Sequence, residues 1–144
     1  MKTPSNLQAF IDSTIISDPI ISEMFREVKG YSAKDQEIDA VKVLIKELKN
    51  YGGEVGTLSY FYLNYQIPQI SKEFDLLRFG KEYNLNIELK SNQSVEKIKK
   101  QQIQNNYYLS ALGKESIHIT FESDNKVFYI LENEEIVKIS PIKL

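Results

Sequence analysis

Two short apolar segments, each carrying charge at a defined place, constrain this chain more than any other feature. The first runs from Phe74 to Phe79, begins after Glu73 and contains Asp75; the second runs from Leu85 to Leu89 and contains Glu88-Leu89-Lys90, thirteen residues beyond the aspartate. Both read as β-strands, and Gly80-Lys81-Glu82-Tyr83-Asn84 between them reads as the loop of a hairpin. Side chains alternate faces along a strand, so Glu88 and Lys90 share one face. Asp75 can face them from the neighbouring strand. Two carboxylates and an ammonium on one sheet face suit a divalent cation and an activated water. The same three charges on a solvated sheet would be a cross-strand salt bridge. The apolar flanks Ile87, Leu89, Phe74, Leu76 and Leu77 place them at the edge of a core, where charges need partners or a metal.

The elements around this hairpin give an order. Ser5 caps a first helix through Leu7, Phe10, Ile11 and Ile15, and a second stripe of Ile20, Ile21, Met24, Phe25 and Val28 ends at Gly30. A helix from Ala33 to Asn50, capped by Ser32, has Ile38, Val41, Ile45 and Leu48 as its apolar face. A strand-rich stretch, Val55 to Tyr65, stops before Pro68. After the two charged strands a long helix runs from Val95 to Leu112 and closes at Gly113. Ser116 to Glu122 alternates strictly, with Ile117, Ile119 and Phe121 on one face and His118 and Thr120 on the other. Val127 to Leu131 and Ile136 to Ile139 form a last hairpin. Helix, three strands, helix and further strands predict an α/β fold with a mixed central sheet. The strand after the long helix would lie parallel to the third strand through a crossover.

The helices supply two more candidates. At about 100° per residue Glu37 falls within about 30° of the centre of its helix's apolar stripe, whereas Glu47 points about 110° away. An inward glutamate in the first turn asks for a role, although a first-turn acid also suits the helix dipole. In the long helix Gln102 and Asn105 fall on the apolar face defined by Val95, Ile98, Leu109 and Leu112. Buried amides require partners. Gln102 is the choice by helical position, with Gln104 and Tyr108 as the alternative pair. Glu73 shares the Asp75 face and reads as an extra ligand or a surface acid. His118, the one histidine, reads as an exposed or packing strand residue. No Gly-x-Ser-x-Gly elbow, P-loop or dinucleotide glycine motif is present.

Gln36-Glu37-Ile38, Glu73-Phe74-Asp75-Leu76-Leu77 and Asn86-Ile87-Glu88-Leu89-Lys90-Ser91, in that order of elements, resemble the PD-(D/E)XK nuclease superfamily. The resemblance covers Ala33 to Phe121, with Phe74 standing where many members have proline. It implies a restriction-endonuclease-like αβββαβ core over 33–122, with a helical extension over 1–30 and a C-terminal β-hairpin over 126–140, all in one domain spanning 1–144. It implies Mg²⁺ or Mn²⁺ as cofactor, held by Asp75, Glu88 and the Leu89 backbone carbonyl, with Glu37 helping directly or through water. Lys90 would position or activate water, and Gln102 would assist. The implied activity is hydrolysis of phosphodiester bonds in DNA, by a standalone enzyme, a homodimer, or a nuclease module whose partner domain or subunit supplies target choice. The first rival is a catalytically inactive domain of this fold that binds nucleic acid or protein. The second is a small α+β interaction module.

Composition sets the remaining bounds. The 144 residues are enough for one domain with a real core. Without cysteine there are no disulfides, thiolate metal sites or cysteine nucleophile. No apolar run approaches a membrane span and no secretory signal is evident, which leads us to expect a cytoplasmic protein. The net charge of −2 is uneven. Ser71 to Lys114 holds eight Lys/Arg against five Asp/Glu, whereas Glu115 to the end holds three lysines against six acids. The candidate site therefore lies in the basic part, as a phosphate-binding surface would.

Overall fold

The computed structural model describes residues 4, 6–14, 35–50, 59–67 and 72–139. Its elements are α1 (Leu7–Thr14), α2 (Asp35–Asn50), β1 (Tyr62–Ile67), β2 (Lys72–Phe79), β3 (Tyr83–Lys90), α3 (Val95–Ser110), β4 (Glu115–Glu122), β5 (Val127–Glu132) and β6 (Glu135–Ile139). The strands form one mixed sheet in sequence order. All neighbouring pairs are antiparallel except β3 and β4, which run parallel across the α3 crossover. The chain is thus α/β, with the mixed sheet that the element order predicts.

Alternation divides the sheet into two unlike faces. On one, Leu63, Leu76, Ile87, Ile119, Phe121 and Phe128 pack with Leu7 and Phe10 of α1 and Ile38, Val41, Leu44 and Ile45 of α2. This is the main core. On the other face lies α3, which buries Ile98, Gln102, Asn105 and Leu109 against the sheet. A smaller core of Phe74, Leu77 and Leu109, flanked by Tyr65, Ile67 and Tyr108, anchors its C-terminal half.

Local chemistry explains the element ends. Asn6, rather than the expected Ser5, caps α1: its Oδ1 accepts from the backbone N–H of Gln8 at 2.9 Å and of Ala9 at 3.3 Å. Ser5 itself lies outside the described residues, as do Ser32 and the apolar stripe 20–28. Ser94 Oγ accepts from Lys97 N–H and starts α3. That helix ends at Ser110, two residues before its expected end, and Gly113 leaves it with φ 79°. Gly80 begins the β2–β3 turn, where its N–H bonds Tyr83 O at 3.1 Å and a Cβ would collide with that same oxygen. Of the strand expected over Val55 to Tyr65, residues 55–58 lie outside the described residues; β1 runs from Tyr62 and continues past Tyr65 to Ile67. Tyr60 has φ 67°, a left-handed conformation that breaks the extended backbone just ahead of it. No helix among the described residues is long and apolar enough to cross a membrane.

A carboxylate pair as candidate metal centre

The β2–β3 ladder pairs Phe79 with Asn84 through to Leu76 with Ile87, and then ends. At that point the Asp75 side chain replaces the missing strand contact: its Oδ2 accepts from the Leu89 backbone N–H at 2.9 Å. Just beyond the last ladder pair the Asp75 carboxyl lies within hydrogen-bonding reach of Glu88. Glu88 is 2% exposed. Burial pushes its carboxyl from the ordinary 4.5 up to about 8, and the charge of Asp75 and the hydrogen bond to it push the same way. Lys72 and Lys90 act in the opposite direction, which places both ammonium groups within electrostatic range of the pair.

Asn105 completes the pocket wall. Its Nδ2 donates to Glu88 Oε1 at 3.2 Å from the buried face of α3. Gln102, the residue chosen by helical position, bonds elsewhere: Nε2 donates to Thr120 Oγ1 at 2.7 Å and to Tyr129 O at 3.3 Å. Both amides lie on the predicted face, but only Asn105 stands level with Glu88. Gln104 is exposed. Glu73 is exposed on β2, as a surface acid. Glu37 falls in the first turn of α2, and its side chain is outside the described residues.

The pair sits in a polar layer between α3 and the sheet. Along the parallel strands Asn84 faces Ser116, Asn86 faces His118, Glu88 faces Thr120 and Lys90 faces Glu122. Asn84, Asn86, His118, Thr120 and Glu122 are all buried. His118 is therefore a buried packing residue, its Nδ1 3.3 Å from Asn86 Nδ2, and burial pulls its ring down from 6.5 to about 4. Glu122 is held by Asn125, whose Nδ2 donates to Oε2 at 2.8 Å. Ser123 N–H bonds Lys90 O at 2.9 Å and fixes the end of β3.

Among the described residues the one ion pair is Lys99 with Glu135, which links α3 to β6. The charges of Asp75, Glu88 and Lys90 thus do not close on one another as a salt bridge. Two carboxyl groups in contact in a desolvated place repel when both ionise; a shared proton or a cation relieves this. Their hard oxygens fit Mg²⁺ or Mn²⁺. Among the described residues no group of three or more His, Asp or Glu side chains forms a metal cluster, so a third protein ligand would come from a backbone carbonyl or from Glu37. No protein-family model matches the sequence, and no curated protein matches it.

Proposed function

We propose that this chain is a Mg²⁺- or Mn²⁺-dependent nuclease of the PD-(D/E)XK type, with a restriction-endonuclease-like core, that hydrolyses phosphodiester bonds in DNA in the cytoplasm. The observation that carries the reading is the Asp75–Glu88 carboxyl pair, with Glu88 buried, Asp75 half-buried, the charge of Lys90 acting on Glu88 and, among the described residues, no ion pair closing it. The element order and the resemblance of Glu37, Asp75 and Glu88-Leu89-Lys90 to that superfamily support it.

In this reading Asp75 and Glu88 hold the cation, with the Leu89 carbonyl and Glu37 as further ligands. When bound, the cation polarises the scissile phosphate and offsets the charge that builds on it. Asp75 is held in place by Leu89 N–H, and Glu88 by Asn105. Such anchoring keeps both carboxylates aimed without the cost of freezing them during the reaction. Lys90, on the Glu88 face at the end of β3, orients the attacking water and the phosphate oxygens. The surplus of lysine from Ser71 to Lys114 draws the polyanion to this face. A second copy or a partner subunit would supply target choice.

The test is cleavage of linear and supercoiled DNA in the presence of Mg²⁺ or Mn²⁺. The purified wild type cuts, and Asp75→Ala and Lys90→Ala each lose about a hundredfold or more in rate. Equal cleavage by the double variant overturns the assignment. DNA binding without any cleavage by the wild type favours the inactive binding module.

A further inference from the structure

Five aromatic side chains gather on the face of the sheet that carries the carboxylate pair, and the proposed chemistry uses none of them. Tyr62 and Tyr65 of β1 and Phe79 of β2 meet edge to face, with ring centroids 5.2 Å (Tyr62–Tyr65), 5.8 Å (Tyr62–Phe79) and 5.5 Å (Tyr65–Phe79) apart. Tyr107 and Tyr108 of α3 form a second such pair at 5.7 Å. Tyr65 and Tyr108 both pack on Phe74, Leu77 and Leu109, which joins the two groups into one surface. Leu77 is opposite Asn86, so this surface lies on the Glu88 side of the sheet. The rings are not fully absorbed into a core: Tyr107 is 75% exposed and Phe79 40%.

Cations stand at both ends of the strip. Lys72 Nζ lies 5.7 Å from the Phe74 ring, and its charge reaches Glu88. Lys114 Nζ bonds the carbonyl of Gly80, the residue after Phe79, at 2.7 Å. From Lys72 to Phe79 the strand covers about 23 Å. Aromatic faces between ammonium groups match a polymer that alternates flat apolar rings with negative charge. A nucleic-acid single strand is such a polymer, whereas a duplex keeps its base faces stacked inside.

Resting on the nuclease reading, and narrowing its substrate, we infer that Tyr62, Tyr65, Phe79, Tyr107 and Tyr108 form a stacking platform for unpaired bases. It holds a single strand, or the frayed end of a duplex, so that the backbone passes Lys72 and reaches Asp75 and Glu88.

The chain has nine tyrosines and no tryptophan, so tyrosine emission reports stacking directly. The metal-free protein is titrated in chelator with a short oligothymidylate and, separately, with a duplex of the same length. The single strand quenches the emission, and Tyr107→Leu and Phe79→Leu each weaken single-strand binding about tenfold while duplex binding changes by less than about twofold. Tyr107→Phe keeps the affinity, because the ring and not the hydroxyl does the stacking. Tyr107 is exposed, so its variants test the platform without testing the fold. Unchanged single-strand affinity in both Leu variants overturns the inference. So does a concentration-dependent dimer that Tyr107→Leu disperses, which would assign the surface to a second copy. Cleavage with ring-independent binding removes the platform and leaves the nuclease; ring-dependent binding without cleavage does the reverse.

Discussion

Glu88 is the residue where fold and proposed function conflict most. A carboxyl in a buried layer, touching another carboxyl, favours its protonated form, whereas ligating a cation requires the ionised form. The conflict has a sign that can be measured. The folded-state pKa of about 8 lies above the ordinary 4.5, so Glu88 stabilises the metal-free fold below pH 4.5 and that contribution is lost as pH rises toward 8. Glu88→Gln keeps the Asn105 hydrogen bond and removes the titration. Its melting temperature relative to wild type should therefore climb from pH 4.5 to 8 in chelator and level off above. A difference independent of pH would show that Glu88 does not titrate abnormally. His118 carries the opposite sign: its folded value of about 4 lies below 6.5, so its stabilisation is present above pH 6.5 and lost as pH falls toward 4. The two windows overlap between pH 4.5 and 6.5, where they oppose each other, and only the Glu88 loss remains above that range.

At the scale of elements, α3 separates two jobs that its sequence presents as one. Asn105 reaches Glu88, while Gln102, nearly one turn earlier, ties the helix to β4 and β5. Asn105→Ala should slow cleavage about tenfold or more, since Glu88 loses its buried donor, and cost about 1–3 kcal/mol of stability. Gln102→Ala should cost a similar amount of stability while the folded protein keeps its cleavage rate. Denaturant melts and single-turnover rates on both variants separate these outcomes, and equal rate losses would contradict the division. The helical wheel shows that both amides face inward, because it reports angle. It does not report height against a partner strand, which depends on the connection between β3 and α3, and so the wheel alone does not separate Gln102 from Asn105. Alternation placed His118 and Thr120 opposite the apolar face of β4. That α3 would cover this polar face, rather than leave it to solvent, needed the tertiary structure. β1 starts at Tyr62, just after the left-handed Tyr60, a local break that no periodicity reveals. The charged strands and the order around them were legible, because two short apolar segments flank Gly80, which opens the turn between them, and β4 alternates strictly after the long helix.

At the scale of the whole molecule, one sheet serves two different interiors. Its lower face joins α1 and α2 in an apolar core that supplies stability. Its upper face, under α3, is given over to amides, hydroxyls, a histidine and carboxyls. A buried polar layer of this size is costly unless its groups are satisfied, and a bound cation would satisfy its most expensive member, the Asp75–Glu88 pair. Calorimetric titration of Mn²⁺ into the protein across pH tests whether Asp75 and Glu88 form a metal centre. Binding must displace the Glu88 proton, so wild-type affinity should rise by up to about tenfold per pH unit from pH 6 to 8 and flatten above. Glu88→Gln and Asp75→Asn should bind weakly and without that slope. Wild-type affinity that matches both variants at every pH would contradict the claim that these two carboxylates form a metal centre.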